Sequence, residues 1–143
     1  MIAFKQITEH NFEECIALTV REHQKTYVST NVYSLAEAWL YPNAAFPFAI
    51  YEEENMVGFI MFAYEDGKYY ICRFMIDEKY QQKGYGKDAL KSAIQYLIDT
   101  YQVTEIYLSV EPDNVVAKGL YQSVGFLETG EMLEAEELMK FTV

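Results

Sequence analysis

A chain of 143 residues has room for a single domain, residues 1–143, with a substantial core. Its composition, 51% hydrophobic and 16% aromatic, excludes a disordered chain, and no apolar run approaches a membrane span. A formal net charge of −11 argues against nucleic-acid binding, because phosphate backbones demand basic surfaces.

Met1-Ile-Ala-Phe-Lys5 lacks the architecture of a signal peptide. Cys15 and Cys72 show no metal-ligand spacing, and His10 and His23 are isolated. These features predict a cytoplasmic protein with two reduced thiols, no metal and no membrane contact.

Alternation from Ile2 to Ile7 predicts a first strand. Thr8 or Asn11 can cap a helix from about Phe12 to Tyr27, whose apolar face carries Phe12, Cys15, Ile16, Thr19 and Val20. A second, short helix is predicted from Ser34 to Tyr41, with Ser34 as N-cap, Glu37 at the capping-box position and Pro42 as its stop. Phe48 to Glu52 and Met56 to Tyr64 read as a hairpin, and a turn at Glu65-Asp66-Gly67 leads into a strand from Lys68 to Ile76.

That strand empties into a polar loop ending in Gly84 and Gly86, where a long amphipathic helix begins. Ala89, Leu90, Ala93, Ile94, Leu97, Ile98 and Tyr101 mark its buried face. Thr104 to Val110 is a strand, and Glu111-Pro-Asp-Asn114 breaks it and caps a helix to about Val124. Gly125 sits where a helix-terminating glycine belongs. Phe126 to Glu131 and Glu137 to Val143 close the chain as short strands. The order is β-α-α-β-β-β-α-β-α-β-β, an α+β fold with a mixed, mostly antiparallel central sheet and helices on both faces.

Amides freed at the helix start beside Gly84 and Gly86 form an anion site. Lys79, Lys83, Lys87 and Lys91 follow it at a four-residue spacing, although helix starts ordinarily favour acids. A bound anion offsets that cost; a merely solvated lysine stripe is the competing reading. A P-loop is excluded, because Gly86-Lys87 is followed by Asp88 and preceded at the required distance by Gln81. Gly84-x-Gly86-x-x-Ala89 does match a dinucleotide fingerprint, but seven mostly polar residues separate it from the preceding strand.

The loop Gln81-Gln82-Lys83-Gly84-Tyr85-Gly86 resembles the Q/R-x-x-G-x-G/A signature of the GNAT N-acetyltransferases. Downstream, Asn114-Val-Val-Ala117-Lys-Gly-Leu120-Tyr121-Gln-Ser-Val-Gly125-Phe126 is similar to that family's N-x-x-A-x-x-L-Y-x-x-x-G-F segment. The two motifs stand in the family's order, and the resemblance covers essentially the whole chain. Arg73 to Gln81 and Ile106 to Ser109 are most similar to bacterial diamine/polyamine acetyltransferases. An acidic residue often precedes the position matching Phe74 by two in those enzymes; here it is Cys72.

The resemblance implies transfer of an acetyl group from acetyl-coenzyme A to a small-molecule primary amine such as spermidine or spermine, and a homodimer. Main-chain groups of Phe74, Met75 and Ile76 would pair with the pantetheine arm, with the N–H near Met75 polarising the carbonyl. Gln81, Gln82, Lys83, Gly84, Tyr85, Gly86 and Lys87 would hold the pyrophosphate, and Asn114 would lie near the pantetheine or cap its helix. Tyr121 would be the general acid, its free pKa of roughly 10 keeping it protonated at neutral pH. Glu22 and Glu111 are candidate bases. Gly119, costly inside a helix, is expected to mark a close neighbour. Another amine (a protein N-terminus or an aminoglycoside) or a non-catalytic coenzyme A-binding module remain alternatives.

Overall fold

The computed structural model describes residues Met1–Val143. It contains β1 (Ile2–Lys5), α1 (Phe12–Ala17), α2 (Asn31–Leu40), β2 (Ala45–Glu52), β3 (Asn55–Glu65), β4 (Lys68–Ile76), α3 (Tyr85–Tyr101), β5 (Glu105–Val110), α4 (Val115–Ser123), β6 (Leu127–Leu133) and β7 (Glu136–Thr142), with short 3-10 turns at Glu22–Gln24 and Glu78–Tyr80. The strands form one seven-stranded sheet in the order β1-β2-β3-β4-β5-β7-β6. All neighbours are antiparallel except β4 and β5.

The middle strands β2 to β4 follow from turn chemistry and patterning. Asp66 and Gly67, both at positive φ, close the β3–β4 hairpin as the primed two-residue turns that match strand twist do. Met56 to Phe62 is buried without a break, because β3 is covered on both faces. On one face Val57, Ile60 and Phe62 join α3 residues such as Leu90 and Leu97 in the larger core. On the other, Phe59 and Met61 pack with Cys15, Ala38 and Met75 under α1 and α2. Gly58 is required where β3 and β4 meet: a Cβ there would lie 2.3 Å from the Met75 carbonyl oxygen.

Two helical boundaries differ from the periodicity. The first helix ends at Ala17 instead of Tyr27, since Leu18 and Arg21 are extended. The intervening Thr19 is recruited elsewhere: its N–H donates to Asp77 Oδ1 at 2.9 Å, and its carbonyl accepts from the Glu78 N–H at 2.8 Å. The second helix starts three residues early, at Asn31, with Thr30 and not Ser34 as its cap. Ser34 is buried within the helix, and Glu37 pairs with Arg73 across the sheet at 3.0 Å. Asn11 does precede α1, but its side chain accepts from the Thr8 N–H instead of capping the helix. No helix is long and apolar enough to cross a membrane.

Candidate functional site

β4 and β5 share a single parallel register pair, Tyr70↔Tyr107. Beyond it the β5-facing edge of Phe74, Met75 and Ile76 has no strand partner, although its other edge is paired to β3 through Ile76↔Gly58. That edge therefore has no ladder partner at a gap in the middle of the sheet, where the Ile76 carbonyl accepts from the Gln81 side chain, a setting in which an extended ligand can add as a strand. A β-bulge widens the choice of side chains here: Met61 and Phe62 pair with Arg73 and Ile71, which leaves Cys72 as the extra residue.

The glycine loop lies at the end of this gap. Gln82 and Gly84 are left-handed, and Gly84 is the N-cap of α3 with no side chain capping the helix. In contrast, Thr30 caps α2 and Asn114 caps α4, accepting from the Ala117 N–H at 3.4 Å. The first-turn amides at Tyr85, Gly86 and Lys87 thus have no partner within the helix. Lys79, Lys83, Lys87 and Lys91 are all exposed, and no carboxylate pairs with them; Lys25, Arg73, Lys118 and Lys140 are paired, while Arg21 also lacks a carboxylate and Lys5 and Lys68 stand over tyrosine rings. Positive φ makes Gly84 conformationally necessary; at Gly86 an added Cβ would meet only ordinary contacts with Leu120 and Ile76.

Gln81 plays a structural part in the loop. Its Nε2 donates to the Ile76 carbonyl at 2.9 Å and to Gln24 Oε1 at 2.8 Å, so its side chain braces the loop. Asp77, only 2% exposed, does the same from the other end, accepting from the Thr19 and Lys79 N–H groups. Neither Asp77 nor Gln24 stood out in the sequence, although Asp followed by a polar turn is a recurrent local cap.

Opposite the α3 face, Met75 forms the floor of a cavity of about 280 Å³ walled by the Ile16–Val20 and Val28–Asn31 segments. Asn31 is buried at its edge, donating to the Cys15 carbonyl at 2.8 Å. The only charged residue lining this cavity is Lys25. Cys72 supplies no charge either: burial pushes its thiol up to about 11. Glu22 is exposed, and its 2.9 Å pair with Lys25 lowers its pKa, which makes it a poor base. Glu111 directly follows β5, and it and Asp113 lie near the hydroxyl of Tyr27, whose pKa burial raises first and these carboxylates raise further.

Tyr121 is carried by α4, its ring edge-on to the buried Phe126 at 6.3 Å. Burial pushes its phenol up to about 12, with the Glu136 carboxylate adding to the shift. The group is thus held as a protonated donor throughout the neutral range. Gly119, two residues earlier, faces open space: an added Cβ meets nothing within 4 Å. No protein atom is thus the close neighbour expected there. No group of three or more His, Cys, Asp or Glu side chains converges as metal ligands.

The structure thus combines a gapped mixed sheet, an uncapped glycine-rich helix start at the end of the gap and a cavity beside Met75. Residues 8–126 match the Acetyltransferase (GNAT) family, and the chain belongs to it. The chain is 34% identical over 142 residues to a spermine/spermidine N(1)-acetyltransferase of Bacillus subtilis strain 168, covering 92% of this chain and 91% of that protein. Among solved structures, spermidine N-acetyltransferase from Vibrio cholerae, in complex with CoA and spermine, superposes with a TM-score of 0.77 at 18% identity over 99% of this chain and 95% of that one. The aminoglycoside acetyltransferase AAC(6')-Ib, in complex with coenzyme A, gives a TM-score of 0.81 at 17% identity over 99% and 95%. At those identities the two structures speak for the fold.

Proposed function

We propose that residues 1–143 act as one N-acetyltransferase domain that moves the acetyl group of acetyl-coenzyme A to a primary amine of a di- or polyamine such as spermidine or spermine. The observation that carries the donor assignment is the α3 start: uncapped amides, left-handed Gln82 and Gly84, and four lysines with no carboxylate partner. The 34% identical Bacillus enzyme supports a polyamine as the acceptor.

Acetyl-coenzyme A, when bound, supplies the thioester. The amides of Tyr85, Gly86 and Lys87, the loop Gln82–Gly84 and the lysines hold its pyrophosphate, while Gln81 keeps the loop in shape. The unladdered edge of Phe74, Met75 and Ile76 would take the extended arm, and a main-chain N–H near Met75 would donate to the thioester carbonyl oxygen as negative charge develops there. Asn114 fixes the α4 start and so the height of Tyr121. Tyr121 keeps its proton at the phenol oxygen until the departing sulfur needs it.

The test is Tyr121→Phe, assayed with spermidine and acetyl-coenzyme A. General-acid catalysis typically contributes about 10²-fold or more, so kcat should fall by about that factor while KM for acetyl-coenzyme A holds. Full activity in the variant removes Tyr121 from the mechanism. An aminoglycoside in the same assay separates the polyamine reading from a drug-modifying one.

A further inference from the structure

A di- or polyamine is multiply cationic at neutral pH, so its site needs carboxylates. The cavity beside Met75 is walled without one. Glu37, across the same sheet face, is already engaged by Arg73. Glu136 differs from both. It opens β7, and its Oε1 accepts a 2.6 Å hydrogen bond from Ser109 Oγ on β5. Leu108 and Val110 face the α3 core, so strand alternation turns Ser109 to the opposite face, the face that carries Met75 and the cavity.

Four other glutamates on and around this sheet, Glu37, Glu105, Glu128 and Glu137, each hold a lysine or arginine; Glu65 and Glu131 hold none but are exposed to water, whereas Glu136 holds none and is half-buried. It is held by a neutral hydroxyl on one oxygen, and Ser109, its partner, lies on β5 beyond Tyr107, the last residue of that strand paired to β4. A carboxylate drawn partly out of water without a counter-cation costs stability, and a cation arriving with a ligand offsets that cost.

We propose that Glu136, oriented by Ser109, is the acceptor-binding carboxylate: it takes the non-reacting ammonium of the polyamine and so sets the reacting amine at the gap beside Tyr121. Ser109 is the positioning residue that leaves one carboxylate oxygen free for the ammonium. This assignment rests on the polyamine reading above.

Steady-state acetylation of spermidine and of butylamine, which has no second ammonium, tests it in the wild type, Glu136→Gln, Ser109→Ala and Ser109→Thr. Losing a charge-assisted hydrogen bond should raise KM for spermidine about tenfold or more in Glu136→Gln, with KM for acetyl-coenzyme A and for butylamine unchanged. Ser109→Ala should raise KM for spermidine about threefold, the loss of a neutral hydrogen bond, and Ser109→Thr should restore it. A wild type that acetylates spermidine alongside a Glu136→Gln variant with KM within about twofold overturns the assignment alone. A parallel rise for butylamine also overturns it, because the charge of the second amine would then be irrelevant. If Glu136→Gln melts early, the Ser109 pair decides by the same spermidine-to-butylamine ratio. A wild type inactive on every polyamine overturns the functional reading itself, before any variant is compared.

Discussion

Asp77 joins the two halves of the site. Its carboxylate accepts from Thr19, in the wall of the cavity beside Met75, and from Lys79, in the approach to the glycine loop. At 2% exposure it has no water to replace these partners, so Asp77→Ala would strand two backbone N–H groups. We expect urea denaturation to show a loss of about 2 kcal/mol or more, together with a higher KM for acetyl-coenzyme A. A variant as stable as wild type would contradict this account of the brace. Tyr121 was singled out by its place after Leu120 in the family motif, and nothing singled out Asp77. The partners of Asp77 lie 58 and two residues away, and only the nearer can be guessed from local turn chemistry.

The start of α3 and the course of α1 show what periodicity can and cannot say. The α3 face was legible because Ala89, Leu90, Ala93, Ile94 and Leu97 are all buried, in register with one stripe. The same reasoning carried α1 too far, because Thr19 and Val20 continue the apolar pattern while the Thr19 main chain is bonded to Asp77 and Glu78. Tertiary hydrogen bonds overrode local pattern there, and Thr30 displaced Ser34 as a cap for a similarly small local difference. The two glycines of the α3 start also separate in the structure. Gly84 sits at φ +86 with open space around it, while Gly86 has ordinary contacts and no such φ. Gly84→Val should therefore abolish acetyl-coenzyme A binding with the fold intact, and Gly86→Ala should weaken it far less, as read by calorimetric titration. Equal effects at the two positions would contradict the left-handed cradle.

Across the molecule, charge is partitioned. Of 11 basic residues in a chain of net charge −11, four stand unpaired around one helix start, and the others that form ion pairs do so elsewhere. Unpaired positive charge therefore gathers beside the gap between β4 and β5, where it can attract an anion in a chain that is otherwise acidic. The element order was readable from strand patterning and turn residues, and glycine placement and lysine spacing marked the start of α3. The Ser109–Glu136 contact was not readable, because the two residues are 27 positions apart, and the Cys72 bulge leaves no mark in the alternation. The most direct test is wild-type turnover, followed as coenzyme A release from acetyl-coenzyme A with and without spermidine or spermine. Amine-dependent release with formation of an acetylated polyamine is the predicted result. Tight acetyl-coenzyme A binding with no release above the amine-free rate would contradict it.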